Sequence, residues 1–253
     1  MSSLPYLAVI VDLDRTLLRT DKSISEYTKR VLRRWQDAGA YLYAATARPE
    51  RAITEYRDAV GFRSVTTLNG ARTVTPTVTL ENPIAGESAF LVLAQLCAME
   101  GAVISAETGN GIYANRDIPL WQPTVTAHIQ QLPEQEKIYK ILASHPELPA
   151  ERISVRMPED VYCTVADGKL MQFMSRSATK WNGIRQMLDH DGIRAGEAIF
   201  FGDDNDDIEP IIRCGHGVAV SNALQGVQEI ADDIADSNDE DGVARYLDAL
   251  LRR

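Results

Sequence analysis

Ile10-Val11-Asp12-Leu13-Asp14-Arg15-Thr16-Leu17-Leu18-Arg19 is the point at which an apolar run ends in two carboxylates flanking one hydrophobe. Residues 7–11 are continuously apolar and rich in β-branched side chains, the composition of a short strand buried on both faces, as in a parallel sheet. Ligand crevices in such sheets lie beyond the carboxyl ends of the strands. Side chains alternate along an extended chain, so Asp12 and Asp14 are expected to project from the strand tip with Leu13 pointing elsewhere. A turn or a helix cap after a strand also uses aspartate, and this stretch alone leaves both uses open.

Downstream, Ser23-Ile24-Ser25-Glu26 opens a helical pattern through Val31, Leu32 and Trp35 that stops at Gly39, the signature of a capped amphipathic helix. Residues 40–45 form a second buried-strand candidate ending in Thr46-Ala47-Arg48-Pro49, where Pro49 suits the first turn of a helix running to about residue 60. A third strand, 64–68, closes at Asn69-Gly70. Strand and helix alternate, which predicts an α/β fold with a doubly wound, Rossmann-like parallel sheet. From about residue 73 to 177 the rhythm changes. Helices are expected at 87–99 and 134–144, and strands at 102–106, 111–114, 153–157, 161–166 and 170–174, together an α+β insertion. The alternating pattern then resumes with a helix at 180–192, strands at 198–201 and 217–220, and helices at 208–213, after Asn222 and after Gly242. The expected domains are 1–82 with 176–253 as the core and 83–175 as an inserted cap between the third and fourth core strands, with hinges near Asn82-Pro83 and at 175–179.

The chain has 253 residues, 45% of them hydrophobic, enough for one sizeable core and a second smaller one. A formal charge of -10 and a pI near 4.9 argue against nucleic acid or an anionic membrane surface as the main partner. Cys97, Cys163 and Cys214 are odd in number and widely spaced, and read as buried thiols in a reducing compartment. The apolar stretch 7–11 lacks a basic leader and is cut by Asp12 and Asp14, so neither a signal peptide nor a membrane span is expected. A cytoplasmic protein, monomeric or a small homo-oligomer, is the expectation.

A second cluster, Phe200-Phe201-Gly202-Asp203-Asp204-Asn205-Asp206-Asp207-Ile208-Glu209, repeats the arrangement of a buried strand giving way to acids. Four aspartates within five positions repel one another unless a cation or basic side chain compensates. A solvated acidic loop capping the next helix is the alternative. Two acidic strand tips in one parallel sheet would build a hard oxygen site suited to Mg²⁺.

These residues resemble the haloacid dehalogenase superfamily, specifically its Cof-type phosphatases with a large cap inserted after the third core strand. Asp12 to Leu18 resembles the first motif, Ala45-Thr46-Ala47-Arg48-Pro49 the second, Lys180 within Ser177-Ala178-Thr179-Lys180 the third, and Gly202-Asp203 with Asp207 the fourth. Asn69-Gly70-Ala71, Gly215 to Ala223 and Asp239 to Ala244 also fit the pattern.

The resemblance implies an Mg²⁺-dependent phosphatase of small phosphorylated metabolites, such as sugar phosphates or a phosphorylated cofactor. Asp12 would be the nucleophile and Asp14 the acid/base; the ion would be held by Asp12, the Asp14 carbonyl and Asp203, with Asp207 supporting. Lys180, Thr46 and backbone N–H groups near Leu13 and Ala47 would meet the transferring phosphoryl group. Outside that frame the residues favour an exposed helix-start lysine for Lys180 and a helix cap for Thr46. Read from the residues alone, Arg48 or Arg116 could meet a substrate anion, though surface charges at turns are the more common use. Arg15 and Ala47 stand where the family usually has glycine. Asp206 stands where it has the asparagine that meets the phosphate, and an anion there would be repulsive. A phosphotransferase or phosphomutase, and a non-catalytic phospho-ligand binding protein, are the alternative functions.

Overall fold

The computed structural model describes residues 4–166 and 168–252. In chain order its elements are β1 (Ala8–Val11), α1 (Glu26–Asp37), β2 (Tyr41–Ala45), α2 (Thr54–Val60), β3 (Ser64–Thr67), β4 (Arg72–Val74), β5 (Thr79–Glu81) and α3 (Gly86–Cys97). There follow β6 (Val103–Thr108), β7 (Gly111–Ala114), β8 (Thr124–Val125), β9 (Ile138–Ser144), β10 (Val161–Ala166) and β11 (Leu170–Ser175). The chain ends with α4 (Lys180–Asp191), β12 (Ala198–Gly202), α5 (Ile208–Arg213), β13 (His216–Val220), α6 (Gln225–Gln228), β14 (Asp233–Ala235) and α7 (Gly242–Leu251). Two compact units result, Met1–Leu80 with Thr179–Arg253, and Glu81–Ala178.

In the first unit the sheet runs β14-β13-β12-β1-β2-β3-β4-β5. From β14 through β3 the strands are parallel, and β4 then returns antiparallel to β3. The expected doubly wound α/β core is therefore present, and the Thr- and Val-rich run after residue 72 extends this sheet instead of opening the insertion. Every residue of β1 and β12 is buried, as the central strands of a sheet covered on both faces must be. Helix α1 packs on α2 and α7, and α4 on α5. Ser25 caps α1 by accepting the Thr28 N–H, so one of the unpaired first-turn donors is satisfied. Its buried stripe, Thr28, Val31, Leu32 and Trp35, faces the core. The Trp35 indole N–H donates to the Leu247 carbonyl at 3.1 Å, tying α1 to α7.

The second unit has a six-stranded sheet ordered β10-β11-β9-β6-β7-β8. Its own hydrophobic cluster joins α3, through Ala89, Val92, Leu93 and Leu96, to Ile104, Ala106, Ile141 and Phe173 of the strands.

Several local expectations are corrected. Residues 134–144 are not a helix: a short 3-10 turn ends at Glu134 and β9 follows, paired antiparallel with both β6 and β11. A strand between two partners satisfies both edges of its backbone, and that outweighs the helix-like spacing of Glu134, Lys137 and Ile141. Residues 153–157 run without ladder partners, because the Gln95 side chain takes the place of one: it accepts the Arg156 N–H and donates to the Arg156 carbonyl. After Pro49 a 3-10 turn, Glu50–Ala52, precedes the shorter helix α2. Of the thiols, Cys214 is buried, Cys163 half-buried and Cys97 exposed.

Candidate active site

Parallel pairing brings the sequence-distant acids together. The Asp12 N–H extends the β1–β12 ladder by donating to the Phe201 carbonyl at 3.0 Å, so Asp12 and Asp203 stand at the ends of neighbouring strands. Carboxylate oxygens of Asp12, Asp203 and Asp207 lie within 4.8 Å of one another, and all three residues are buried. Lys180, the first residue of α4, is buried too, and its Nζ donates to Asp12 Oδ1 at 2.8 Å and Asp207 Oδ1 at 2.6 Å. The reading of Lys180 as an exposed helix-start lysine is thereby excluded. Asp207 Oδ2 accepts the backbone N–H groups of Asp203 and Asp204 at 3.0 and 3.1 Å, which fixes the acidic turn before α5.

Charge in this cluster is unbalanced. Burial pushes the Asp12 carboxyl well above the usual carboxylate range; Lys180 opposes that, while Asp207 and Asp203 add to it. Burial likewise lifts Asp203 to about 6, against a hydrogen bond from Thr16 and with repulsion from Asp207. Burial works against the Lys180 ammonium, but Asp12 and Asp207 outweigh it and hold the group protonated. Three carboxylates meet one buried ammonium and, at 3.7 Å from Asp203, the largely exposed Arg15 guanidinium, so negative charge on hard oxygen donors is left in excess. A small divalent cation fits that excess.

Asp14 is placed differently. Its carboxylate is forked by Arg48, Nε to Oδ2 at 2.6 Å and Nη2 to Oδ1 at 2.7 Å, and Oδ1 also accepts Lys22 Nζ at 2.8 Å. Burial pushes Asp14 up, but the bonds and charge of Arg48 and Lys22 prevail and leave it at about 2. Thr46 directly follows β2 and is buried; its hydroxyl accepts the Arg48 N–H at 3.2 Å. Leu13 is buried and its carbonyl accepts the Leu18 N–H, whereas Ala47 is exposed in the loop after β2. Asp206 accepts a hydrogen bond from the Asn69 amide, whose own oxygen is buried without a partner among the described residues.

Sequence reasoning missed several contributors. Thr16 Oγ1 donates to Asp203 Oδ1 at 2.8 Å, joining the first acidic stretch to the second. Arg15, at φ +60°, adds an ion pair to Asp203 at 3.7 Å and hydrogen-bonds the Asn222 carbonyl. Lys22 gave no signal at all, being a lysine in an exposed turn eight residues beyond its partner.

The sequence profile of the haloacid dehalogenase-like hydrolases matches residues 9–247. The chain belongs to this family. Among similar family proteins, the 5-amino-6-(5-phospho-D-ribitylamino)uracil phosphatase YitU of Bacillus subtilis is 28% identical, over 98% of this chain and 98% of its own. The HMP-PP phosphatase of Yersinia pseudotuberculosis is 27% identical over 96% and 94%. In structure, a phosphatase of the haloalkanoate (HAD) enzyme superfamily from Bacteroides thetaiotaomicron superposes with a TM-score of 0.84 at 23% identity, covering 98% of this chain and 96% of its own. The hydrolase fold thus recurs over the whole length, insertion included. No helix among the described residues is long and apolar enough to cross a membrane.

Proposed function

We propose that the chain is an Mg²⁺-dependent phosphatase that hydrolyses small phosphorylated metabolites through a phosphoaspartyl intermediate at Asp12. The observation that carries this reading is the buried Asp12–Lys180–Asp207 chain of ion pairs beside Asp203, with Asp14 two residues from Asp12. A cation at this cluster would be held by the Asp12 and Asp203 carboxylates and the Asp14 carbonyl, with Asp207 in support. When bound it neutralises charge on the phosphoryl oxygens and on the acids themselves.

The chain's own residues account for the rest. A carboxylate oxygen of Asp12 bonds to phosphorus as the ester P–O bond breaks, and the departing alkoxide takes a proton from the small protonated fraction of Asp14, whose carboxyl Arg48 and Lys22 otherwise hold ionised. Asp14, now a carboxylate, takes a proton from water as that water attacks phosphorus and the Asp12–phosphorus bond opens. Lys180 keeps its charge throughout and offsets the negative charge that gathers on Asp12 and the phosphoryl group. The Thr46 hydroxyl and the N–H groups of the loops after β1 and β2 supply neutral donors for the same oxygens.

The relatives named for a phosphoribitylaminouracil and for HMP-PP support a substrate class of small phosphate esters, sugar phosphates or phosphorylated cofactor precursors. The test is phosphate release over a metabolite panel with Mg²⁺ and with chelator, using Asp12→Asn as the control. Release that survives the substitution overturns the mechanism. Binding without release would instead identify a phospho-ligand binding protein, and transfer to an added sugar a phosphotransferase.

A further inference from the structure

Asp14 has 37% of its side chain exposed, and a carboxylate so placed ordinarily samples several rotamers. Here both of its oxygens are fixed by one guanidinium fork, a geometry that sets the plane of the carboxylate as well as its position. The fork is itself held. Arg48 lies over the Tyr56 ring at 5.4 Å, its Nη1 reaches the Ala52 carbonyl at 3.4 Å, and its backbone is pinned by Thr46 Oγ1 and by the Leu68 N–H. Arg48 is thus held by further protein groups, and its Nε–Nη2 fork is taken by Asp14. Those two N–H groups are therefore not open to a substrate anion.

We infer that Arg48 is a positioning residue for Asp14, aiming its acid/base oxygen at the leaving group, and is not an anchor for the substrate. Lys22 contributes to the aim by occupying Oδ1 together with Arg48 Nη2, whereas Oδ2 accepts a single bond from the described residues. Oδ2 is therefore the less occupied of the two oxygens. The inference rests on the reading of Asp14 as acid/base given above.

Leaving-group dependence separates aiming from anchoring. p-Nitrophenolate departs from phosphorus without a proton, whereas an alkoxide needs one. The experiment measures kcat/KM, which reports events up to departure of the alcohol, for p-nitrophenyl phosphate and for the best alkyl phosphate of the panel. It uses the full-length enzyme with Mg²⁺ and the Arg48→Ala, Arg48→Lys, Asp14→Ala and doubly substituted Arg48→Ala/Asp14→Ala forms. Arg48→Ala is expected to raise the ratio of the two kcat/KM values, aryl over alkyl, at least about tenfold, since a positioned acid contributes roughly 10²–10⁴. Asp14→Ala should move the ratio in the same direction, and the double variant should be no worse than Asp14→Ala alone. Arg48→Lys, which can reach one oxygen only, should recover part of the alkyl rate. Equal loss on both substrates, appearing in KM, or additive losses in the double variant would overturn the inference in favour of a substrate anchor. Absence of turnover in the unsubstituted enzyme would instead defeat the phosphatase reading, and this inference with it. A form that turns over the aryl ester is folded, so the comparison stands for any variant with a measurable ratio.

Discussion

Asp203→Asn should make the metal-free protein more stable at neutral pH while removing its response to Mg²⁺. In the native state the Asp203 carboxyl is lifted from 3.8 to about 6, chiefly by burial. At about 1.4 kcal/mol per unit, two units correspond to roughly 3 kcal/mol of native-state cost once the group is ionised. The sign follows from the direction of the shift. Below pH ~4 Asp203 is protonated in both states and costs nothing; between about 4 and 6 the unfolded chain ionises it and the native state resists; above about 6 the full cost is present. Asparagine keeps an oxygen to accept the Thr16 hydroxyl and carries no charge toward Asp12 and Asp207. With relaxation taken into account, a gain of about 1–3 kcal/mol is expected at pH 7.5, or roughly 2–4 °C in Tm per kcal/mol for a chain of this size. The assay is thermal unfolding in chelator at pH 4.5 and 7.5, then with Mg²⁺. The gain should shrink at the lower pH, and added Mg²⁺ should raise the Tm of the unsubstituted protein alone. A variant no more stable than the original at pH 7.5, or a difference unchanged between the two pH values, would refute the charge argument.

Asp206→Asn is expected to keep or raise kcat/KM in the phosphate-release assay, because the side-chain oxygen can still accept from Asn69 while an anion is removed from the position expected to meet the phosphate; a large drop would show that the acid has another task. Asp191→Asn should cost about 1–3 kcal/mol at pH 7, since Asp191 accepts the Arg63 fork at 2.6 and 2.9 Å and the Tyr43 hydroxyl. Burial pushes the Asp191 carboxyl up, but Arg63 and Tyr43 hold it below its ordinary value, so in urea titrations the difference should close as pH falls below about 4. Gly183→Ala would set a Cβ 2.0 Å from Thr66 Oγ1 and 2.7 Å from its Cβ, forcing α4 off β3; a loss of about 1–3 kcal/mol in the same titrations is expected.

The legibility of this chain differs by scale. The strands β1 and β12 could be read locally, because a β-branched or aromatic run buried on both faces looks the same wherever it pairs, and α1 because Ser25 and a single apolar stripe mark its start and its buried face. The strand β9 could not. Its Lys140 and the polar residues before it obscure the alternation, and only pairing with β6 and β11, more than 25 residues away on either side, decides its state. Cys97 sits on α3, whose apolar residues run round most of the helix, so composition gave no hint of which side faces out. At the site, Asp12, Asp203, Asp207 and Lys180 were legible as types in order, and parallel pairing then brings them together. The partners of Asp14 were not, because Lys22 and Arg48 approach it from two loops whose paths no local pattern specifies.

The same electrostatics explains why the two acidic groups of the site differ. Asp12 and Asp207 share the Lys180 ammonium, Asp203 has only the largely exposed Arg15 guanidinium at 3.7 Å, and burial raises Asp12 and Asp203, so that cluster is under-compensated and would gain stability from a captured cation. Asp14 has two cations of its own and is held down at about 2. A metal competing for all four carboxylates would find three of them unpaid and the fourth already satisfied, and so would take Asp14 by its backbone carbonyl at most. On the proposed reading, that division would leave the Asp14 side chain outside the metal's hold. On that reading the Arg48 fork matters beyond stability: with Lys22 it keeps a fourth carboxylate from joining the three that would meet the ion.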